Sequence, residues 1–418
     1  MLFSQSLNTF AESYMSDFCQ IRIQDWELFS GSRRPNEENG PGSINAGPHS
    51  VKNGPGSADA GPGDVIAGQC CVIAGPCSVE SREGLISEAL ELKAMGVNVL
   101  RGGLWKPRTH PGCFEGVGEE GVQWLREAGE ASGMKTVTEV ANARHVEVIL
   151  ENGIDAVWIG ARTTGNPFLV QEIAEALRGT GLPVFVKNPL VPDPELWSGA
   201  IERFVRCGAQ CICAVHRGFH SYGESLYRNP PFWQIPVELH RRFPDLPMLC
   251  DPSHITGRRD LVEDVSRQAI ALGFDGLMIE VHPDPDRARS DAAQQISPKQ
   301  LKAMLGRLKA RSSSTADTEA TAAIEDLRSG IDRIDAALVD LLAQRMDISE
   351  SIGRIKERSG MTVLQTGRWN AVLDKVRRMA KEKDLDEDFI TEIFTTIHRA
   401  SMERQLSRDS DIPMQTNS

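Results

Sequence analysis

Between Cys70 and Ala310 one unit recurs eight times: a short apolar run followed by a longer stretch whose apolar residues fall at helical spacing. The apolar runs are Cys71–Ala74, Val97–Arg101, Lys135–Val140, Ala156–Ala161, Val184–Lys187, Cys211–His216, Met248–Asp251 and Gly276–Val281. The helical patterns between them are Arg82–Met95, Gly116–Ser132, His145–Asn152, Pro167–Leu177, Pro194–Cys207, Pro236–Phe243, Arg259–Leu272 and Ser297–Ala310. Strands alternating with helices of this length read as βα units on a parallel sheet. Eight of them predict an α/β chain folded as a (β/α)8 TIM barrel, with its site at the C-terminal ends of the strands. An open doubly wound sheet is the alternative, but it needs a switch-point crevice, and no G-x-G-x-x-G follows the first strand.

The strand ends carry unusual chemistry. The second delivers Arg101, Lys106 and Arg108 within eight residues. Arg offers a planar fork for carboxylate or phosphate and Lys a compact point charge, so this loop suits an anion. A lone K-P-R would more often be a solvated basic loop. The other ends change that: Gly75-Pro-Cys77, Glu139, Gly160-Ala-Arg162, Lys187-Asn-Pro189, His216-Arg-Gly218, Asp251-Pro-Ser-His254 and Glu280-Val-His282. Arg101, Lys106, Arg162, Lys187 and Arg217 can surround a ligand bearing both phosphate and carboxylate. Cys77, His254, Glu280 and Asp291 can bind a divalent metal through mixed sulfur, nitrogen and oxygen donors. Singly, each has a plainer reading as a buried thiol, a capped core histidine or a surface acid. Together they sit at or just beyond strands one, seven and eight, which are neighbours in a closed barrel.

Composition narrows the partners. A net charge of −12 argues against nucleic acid and leaves anionic small molecules as substrates where cations are concentrated. No run approaches the roughly 18 to 20 apolar residues of a membrane span, and the start has no basic stretch followed by an apolar block. Nine cysteines, an odd number without framework spacing, favour a reducing compartment, so a cytoplasmic location is expected. Residues 1–68 contain the duplicated segment Asn39–Pro48 and Asn53–Pro62, low in complexity, and are expected to form a disordered arm.

After the barrel at 69–310, a small-polar linker is expected at 311–322, an all-helical domain at 323–408 and a disordered tail at 409–418. Apolar residues from Leu327 to Ile355 keep helical spacing across Ile324–Arg358. A helix of that length runs about 52 Å, more than a small domain covers alone, so dimerisation is expected. Shorter helices are expected near Gly367–Lys383 and Asp386–Gln405. On pattern alone this is a three-helix interaction module.

Residue identity adds two resemblances. Ile73-Ala-Gly-Pro-Cys-Ser-Val-Glu80, Arg101-Gly-Gly-Leu-Trp-Lys-Pro-Arg-Thr109, Ile159-Gly-Ala-Arg162, Val186-Lys-Asn-Pro189, His216-Arg-Gly218 and Asp251-Pro-Ser-His-Ile-Thr-Gly-Arg-Arg-Asp260 resemble the 3-deoxy-D-arabino-heptulosonate 7-phosphate (DAHP) synthases over about Cys70 to Lys309. The resemblance implies a metal-dependent condensation of phosphoenolpyruvate with erythrose 4-phosphate, the first step of the shikimate pathway. It implies Cys77, His254, Glu280 and Asp291 as ligands of a divalent ion, manganese first among the options. Phosphoenolpyruvate would be held by Arg101, Lys106, Arg162, Lys187 and Arg217, and the aldose phosphate by Arg108 and Thr109. Lys106 and Glu139 are candidates for proton and water handling. The Lys106-Pro-Arg-Thr109 loop separates this family from the related octulosonate synthases.

Leu327-Arg328, Leu342-Ala-Gln-Arg345, Ile355-Lys356, Gly367-Arg368 and Ser401-Met-Glu-Arg-Gln405 resemble the all-helical chorismate mutases. That resemblance implies Arg345 and Arg368 on the substrate carboxylates, Lys356 and Gln405 on the ether oxygen, Ser401 on a carboxylate or hydroxyl, and Arg328 supplied by a partner chain of a homodimer or larger assembly. Where the family has acidic residues near the ring hydroxyl, this chain has Gln365, which can accept a hydrogen bond, and Trp369, which cannot. A helical tail that only dimerises and senses chorismate or prephenate is the alternative.

Overall fold

A computed structural model of the chain describes residues 70–106, 112–223, 225–309 and 317–406. The expected arm and tail lie outside those residues, as do the first half of the expected linker and both Arg108 and Thr109. The chain divides into two compact units, Met1–Ser313 and Ser314–Ser418.

The first unit is a closed barrel of eight parallel strands in sequence order. They are β1 (Cys71–Gly75), β2 (Val99–Arg101), β3 (Lys135–Val140), β4 (Ala156–Ile159), β5 (Val184–Lys187), β6 (Ile212–His216), β7 (Met248–Cys250) and β8 (Gly276–Glu280). β1 and β8 close the ring, with Cys71 beside Gly276 and Gly75 beside Glu280. All eight strands stand where the sequence places them, with small shifts at their ends. β2 starts late because the Val97 N–H donates to Leu92 O at the end of the preceding helix, while Asn98 Oδ1 accepts from Val72 N at 2.8 Å. β4 stops at Ile159 because a one-turn helix, Ala161–Thr164, begins there. The helix expected from Gly116 begins at Glu120, since Gly116 and Gly118 hold φ values of 97° and 67° that a right-handed helix cannot use. The stretch from Arg259 opens as a single 3₁₀ turn before the helix Val262–Ala271.

Several helices start by one device. Asn166, Asp193, Asp251 and Ser297 each precede a proline at the first helical position, and each side chain accepts a backbone N–H of the first turn. These caps fix where four of the helices begin.

Strand side chains alternate between two layers. Val72, Ala74, Leu100, Val157, Val186 and Ala214 pack outward against the helices. Ile73, Val99, Val137, Trp158, Phe185, Val215, Leu249 and Met278 form a separate apolar plug. Two residues beyond each member of that plug the same inward face continues, and its chemistry changes abruptly.

The second unit holds three helices, Thr318–Arg358, Thr366–Glu382 and Glu387–Leu406. The first has 41 residues and begins inside the stretch expected to be linker. Asp317 caps it by accepting from Glu319 N and Ala320 N, both at 3.0 Å, and the following Ala-rich turn favours helix. Gly330 and Gly353 do not interrupt it. Its apolar stripe is largely uncovered by its own chain: Leu327 is 70% exposed, Ile334 61% and Ile355 63%. No helix among the described residues is long and apolar enough to cross a membrane.

One buried titratable group lies in the barrel wall. His216 ends β6 among the rings of Trp197, Phe219, Trp233 and Phe274, with centroids 5.2 to 6.3 Å away. Burial, then the neighbouring Arg217, lowers its pKa to about 3 from 6.5. The folded pKa lies below the unfolded one, so this contribution to stability is complete above about pH 6.5 and is lost as pH falls toward 3. His216→Phe keeps a ring in the cage without a proton to bind. Its thermal midpoint should fall less steeply than that of the unsubstituted chain between pH 7 and pH 4, and parallel slopes would refute this.

Candidate functional site

The layer above the apolar plug is charged. Arg101 follows Val99 on the inward face of β2, Glu139 follows Val137, Lys187 follows Phe185, Arg217 follows Val215, Asp251 follows Leu249 and Glu280 follows Met278. All six side chains are buried. β1 ends on glycine at this level and β4 is followed by one; the first is required because a side chain would meet backbone, and the second leaves room for the Glu139 carboxylate. A Cβ on Gly75 would lie 2.1 Å from Arg101 O, and one on Gly160 would lie 2.1 Å from Glu139 Oε1.

Opposite charges organise the layer. Arg101 Nη2 donates to Glu280 Oε1 at 2.9 Å, and Lys187 Nζ donates to Asp251 Oδ2 at 2.7 Å. Trp158 lies beneath both cations, its ring centroid 4.8 Å from the guanidinium and 5.4 Å from the ammonium. Its indole N–H donates to Glu139 Oε2 at 3.1 Å, which orients the ring. Burial works against the charged form of Arg101, but Glu280 and Asp251 outweigh it and raise its pKa. For Lys187 burial wins over Asp251 and the pKa falls. Arg101 Nε and Nη1 have no hydrogen-bond partner among the described residues, so two buried donors remain for a ligand.

Three expected metal ligands converge. One donor atom each from Cys77, Glu280 and Asp291 lies within 4.8 Å of the others. The expected fourth, His254, brings Nε2 to 3.7 Å from Glu280 Oε1, while its Nδ1 lies 2.8 Å from Asp251 Oδ2. A carboxylate behind one imidazole nitrogen while the other faces the site is the usual support of a metal-binding histidine. Burial, then Glu280, pushes the Cys77 thiol up to about 12. Burial alone would raise Asp291, but His254 and Lys106 hold it well below the usual carboxylate range. A divalent cation would reverse the balance at Cys77, since thiolate is the ligating form. The mixed soft and hard donors fit such an ion.

The expected anion-binding cations stand around this centre. Lys106 folds back over Gly103, where a Cβ would meet its Nζ at 3.3 Å, and burial of its charge is outweighed by Cys77 and Glu280, which raise its pKa. Arg217 is anchored through its backbone N–H to Asn188 Oδ1 at 2.7 Å. Its pKa is lowered to about 10 by burial, against the pull of Asp251, and the charges of Arg228 and Arg162 add to the lowering. Arg162 itself is exposed, on the one-turn helix after β4.

Several supporting residues were not singled out from sequence. Asp251 was noted only as a strand end, yet it joins Lys187 to His254; its place two residues beyond Leu249 was the available signal. Gln294 donates to Glu280 Oε2 at 2.7 Å and accepts from Arg228, which also donates to Asp291 Oδ1 at 3.3 Å. Gln295 Oε1 accepts from Cys77 N at 3.0 Å.

In the helical unit, Arg345 donates to Ser401 Oγ and Lys356 to Val363 O. Gly353 lets the third helix approach, since a Cβ there would lie 3.0 Å from Gln405 Cγ. Arg345, Lys356, Ser401 and Gln405 thus border one region. Gln365 caps the second helix by position, with Arg368 in its first turn. Arg328 lies elsewhere, paired with Glu325 at 3.6 Å on an exposed face. It stands 17 residues before Arg345, roughly 25 Å along the axis.

Comparison with known proteins agrees with both halves. Residues 51–316 match the model of the DAHP synthetase I family, and residues 327–406 match that of chorismate mutase type II. A phospho-2-dehydro-3-deoxyheptonate aldolase of Thermotoga maritima is 37% identical over 232 residues, 56% of this chain and 67% of that protein. A 2-dehydro-3-deoxyphosphooctonate aldolase of a Synechococcus species is 28% identical over 209 residues, 47% of this chain and 71% of that protein. The crystal structure of the Thermotoga maritima DAHP synthase superposes with a TM-score of 0.52 at 36% identity, covering 57% of this chain and 68% of that one. A truncated form of the same enzyme gives 0.50 and covers 84% of its chain.

Removing one partner from a buried ion pair leaves the other charge uncompensated and costs about 3 kcal/mol or more. Asp251→Asn should therefore lower the unfolding free energy of the barrel by about that amount in urea. An unchanged transition would mean that Lys187 is held neutral without Asp251.

Proposed function

The chain belongs to the DAHP synthetase I family and carries a chorismate mutase type II domain, and we propose that its barrel condenses phosphoenolpyruvate with erythrose 4-phosphate by a metal-dependent route. The observation that carries this reading is the convergence of Cys77, Glu280 and Asp291, with His254 beside them, inside a ring of buried cations. A divalent ion, with manganese the expected one, would be held by these four and would supply Lewis-acid polarisation of an aldehyde. Arg101, Lys106, Arg162, Lys187 and Arg217 bind the phosphate and carboxylate of phosphoenolpyruvate, the two unpartnered donors of Arg101 among them. Arg108 and Thr109 take the aldose phosphate. As the enol carbon attacks the aldehyde, Lys106 holds a proton at Nζ for the developing alkoxide. Glu139 positions the water that captures C2, and phosphate departs with cleavage of its C–O bond.

At the other end, the domain spanning 323–408 rearranges chorismate to prephenate, a pericyclic step that needs positioning and charge stabilisation rather than acid or base. Arg345 and Arg368 take the carboxylates, Lys356 and Gln405 the ether oxygen, and Gln365 and Ser401 the remaining polar groups. Arg328 lies too far along the helix to serve the site of its own chain, so a second copy supplies it. The exposed stripe from Leu327 to Ile355 supports that homodimer. A reducing, cytoplasmic setting suits the Cys77 thiol.

Phosphate release from phosphoenolpyruvate should require erythrose 4-phosphate, stop on chelation and return with Mn2+, and Lys106→Ala should slow it by about 100-fold or more. Release indifferent to chelation would overturn the metal-dependent reading. Loss of chorismate absorbance should be abolished by Arg345→Ala, and a chain that never consumes chorismate would leave the helices only a sensing role.

A further inference from the structure

Chorismate presents two carboxylates, an ether oxygen and a ring hydroxyl. Arg345, Arg368 and Lys356 can only donate hydrogen bonds. Ser401 is already engaged, receiving Arg345 and donating to Ile397 O at 2.8 Å. Gln365 at the head of the second helix is one group that can accept the hydroxyl proton, and a second acceptor stands on the third helix.

His398 stands beside this group and has no role so far. It lies three residues before Ser401 and seven before Gln405 on the third helix, so the three share one face. Its imidazole lies flat on Trp369 of the second helix, with centroids 4.0 Å apart and planes 7° apart. Its Nε2 is buried and has no hydrogen-bond partner among the described residues. The charged groups that bear on it are Arg345 and Lys356 of the long helix, two of the cations assigned to the substrate.

We propose that His398 is a substrate-binding residue of the mutase site, its Nε2 accepting the hydrogen bond of the chorismate ring hydroxyl while Trp369 holds the imidazole in plane. This rests on the mutase reading above. Burial first, then Arg345 and Lys356, lowers the His398 pKa, so the ring stays neutral and keeps a lone pair. Stacking fixes the ring plane, which an unstacked side chain would have to fix on binding. Trp369, unable to accept a hydrogen bond itself, serves by orienting a neighbour that can.

The test uses the full-length chain. His398→Phe retains a ring for Trp369 but removes both nitrogens; His398→Gln restores a polar atom at similar reach. The Phe variant should raise KM for chorismate about tenfold with kcat changed little, as expected for one lost hydrogen bond made equally in ground and transition states. Gln should recover most of the loss, and a chorismate analogue without the ring hydroxyl should bind the original chain and the Phe variant alike. His398→Leu repeats the measurement if the Phe variant does not fold. A KM for Phe or Leu equal to that of the original chain would overturn the role of His398 and leave the mutase reading intact. Failure of the unsubstituted chain to consume chorismate would instead remove the mutase reading.

Discussion

Two ion pairs shut away from water, Arg101–Glu280 at 2.9 Å and Lys187–Asp251 at 2.7 Å, govern what the barrel mouth can be. Neither joins adjacent strands. Arg101 on β2 reaches Glu280 on β8 past β1, which offers only Gly75 at that level; Lys187 on β5 reaches Asp251, just beyond β7, past β6. Such reach exists only because the sheet closes on itself and turns its inward side chains toward a common axis. Desolvating these charges is costly. What they gain is orientation: Trp158 under both cations, His254 held through Asp251, and Glu280 shared between a guanidinium and the metal donors.

The fold was legible because the βα units write their period plainly, with mostly apolar strands and, at four helices, an Asx or Ser cap followed by proline. The site was legible where a residue type is informative alone, as with Cys77, Arg101 or Lys187 at a strand end. Asp291 was singled out too, but the partners that a turn brings in, Gln294 and Gln295, were not legible. Asp291 takes a left-handed φ of 44° at the head of the 3₁₀ turn Ala292–Gln294, and that kink sends Gln294 toward Glu280 and Gln295 toward Cys77. No periodicity encodes such a bend. Asp251 was visible only as a strand end, and the structure adds that it caps the short helix Pro252–Thr256.

The helical unit shows the opposite balance. Its long helix and the one-face spacing of Ser401 and Gln405 follow from the 3.6-residue repeat, but the pairing of Trp369 with His398 crosses between helices and cannot be read from either. The early start of the long helix at Thr318 shows a side-chain cap overriding a composition that reads as linker.

The aliphatic stripe of that helix has a further consequence. A barrel has no open edge and satisfies its backbone within one chain, whereas a helix that leaves so many branched side chains in water is subject to mass action in the pairing proposed above. Dilution would then disassemble one end of the molecule while sparing the other, so the ratio of its two outputs would report how concentrated the protein is.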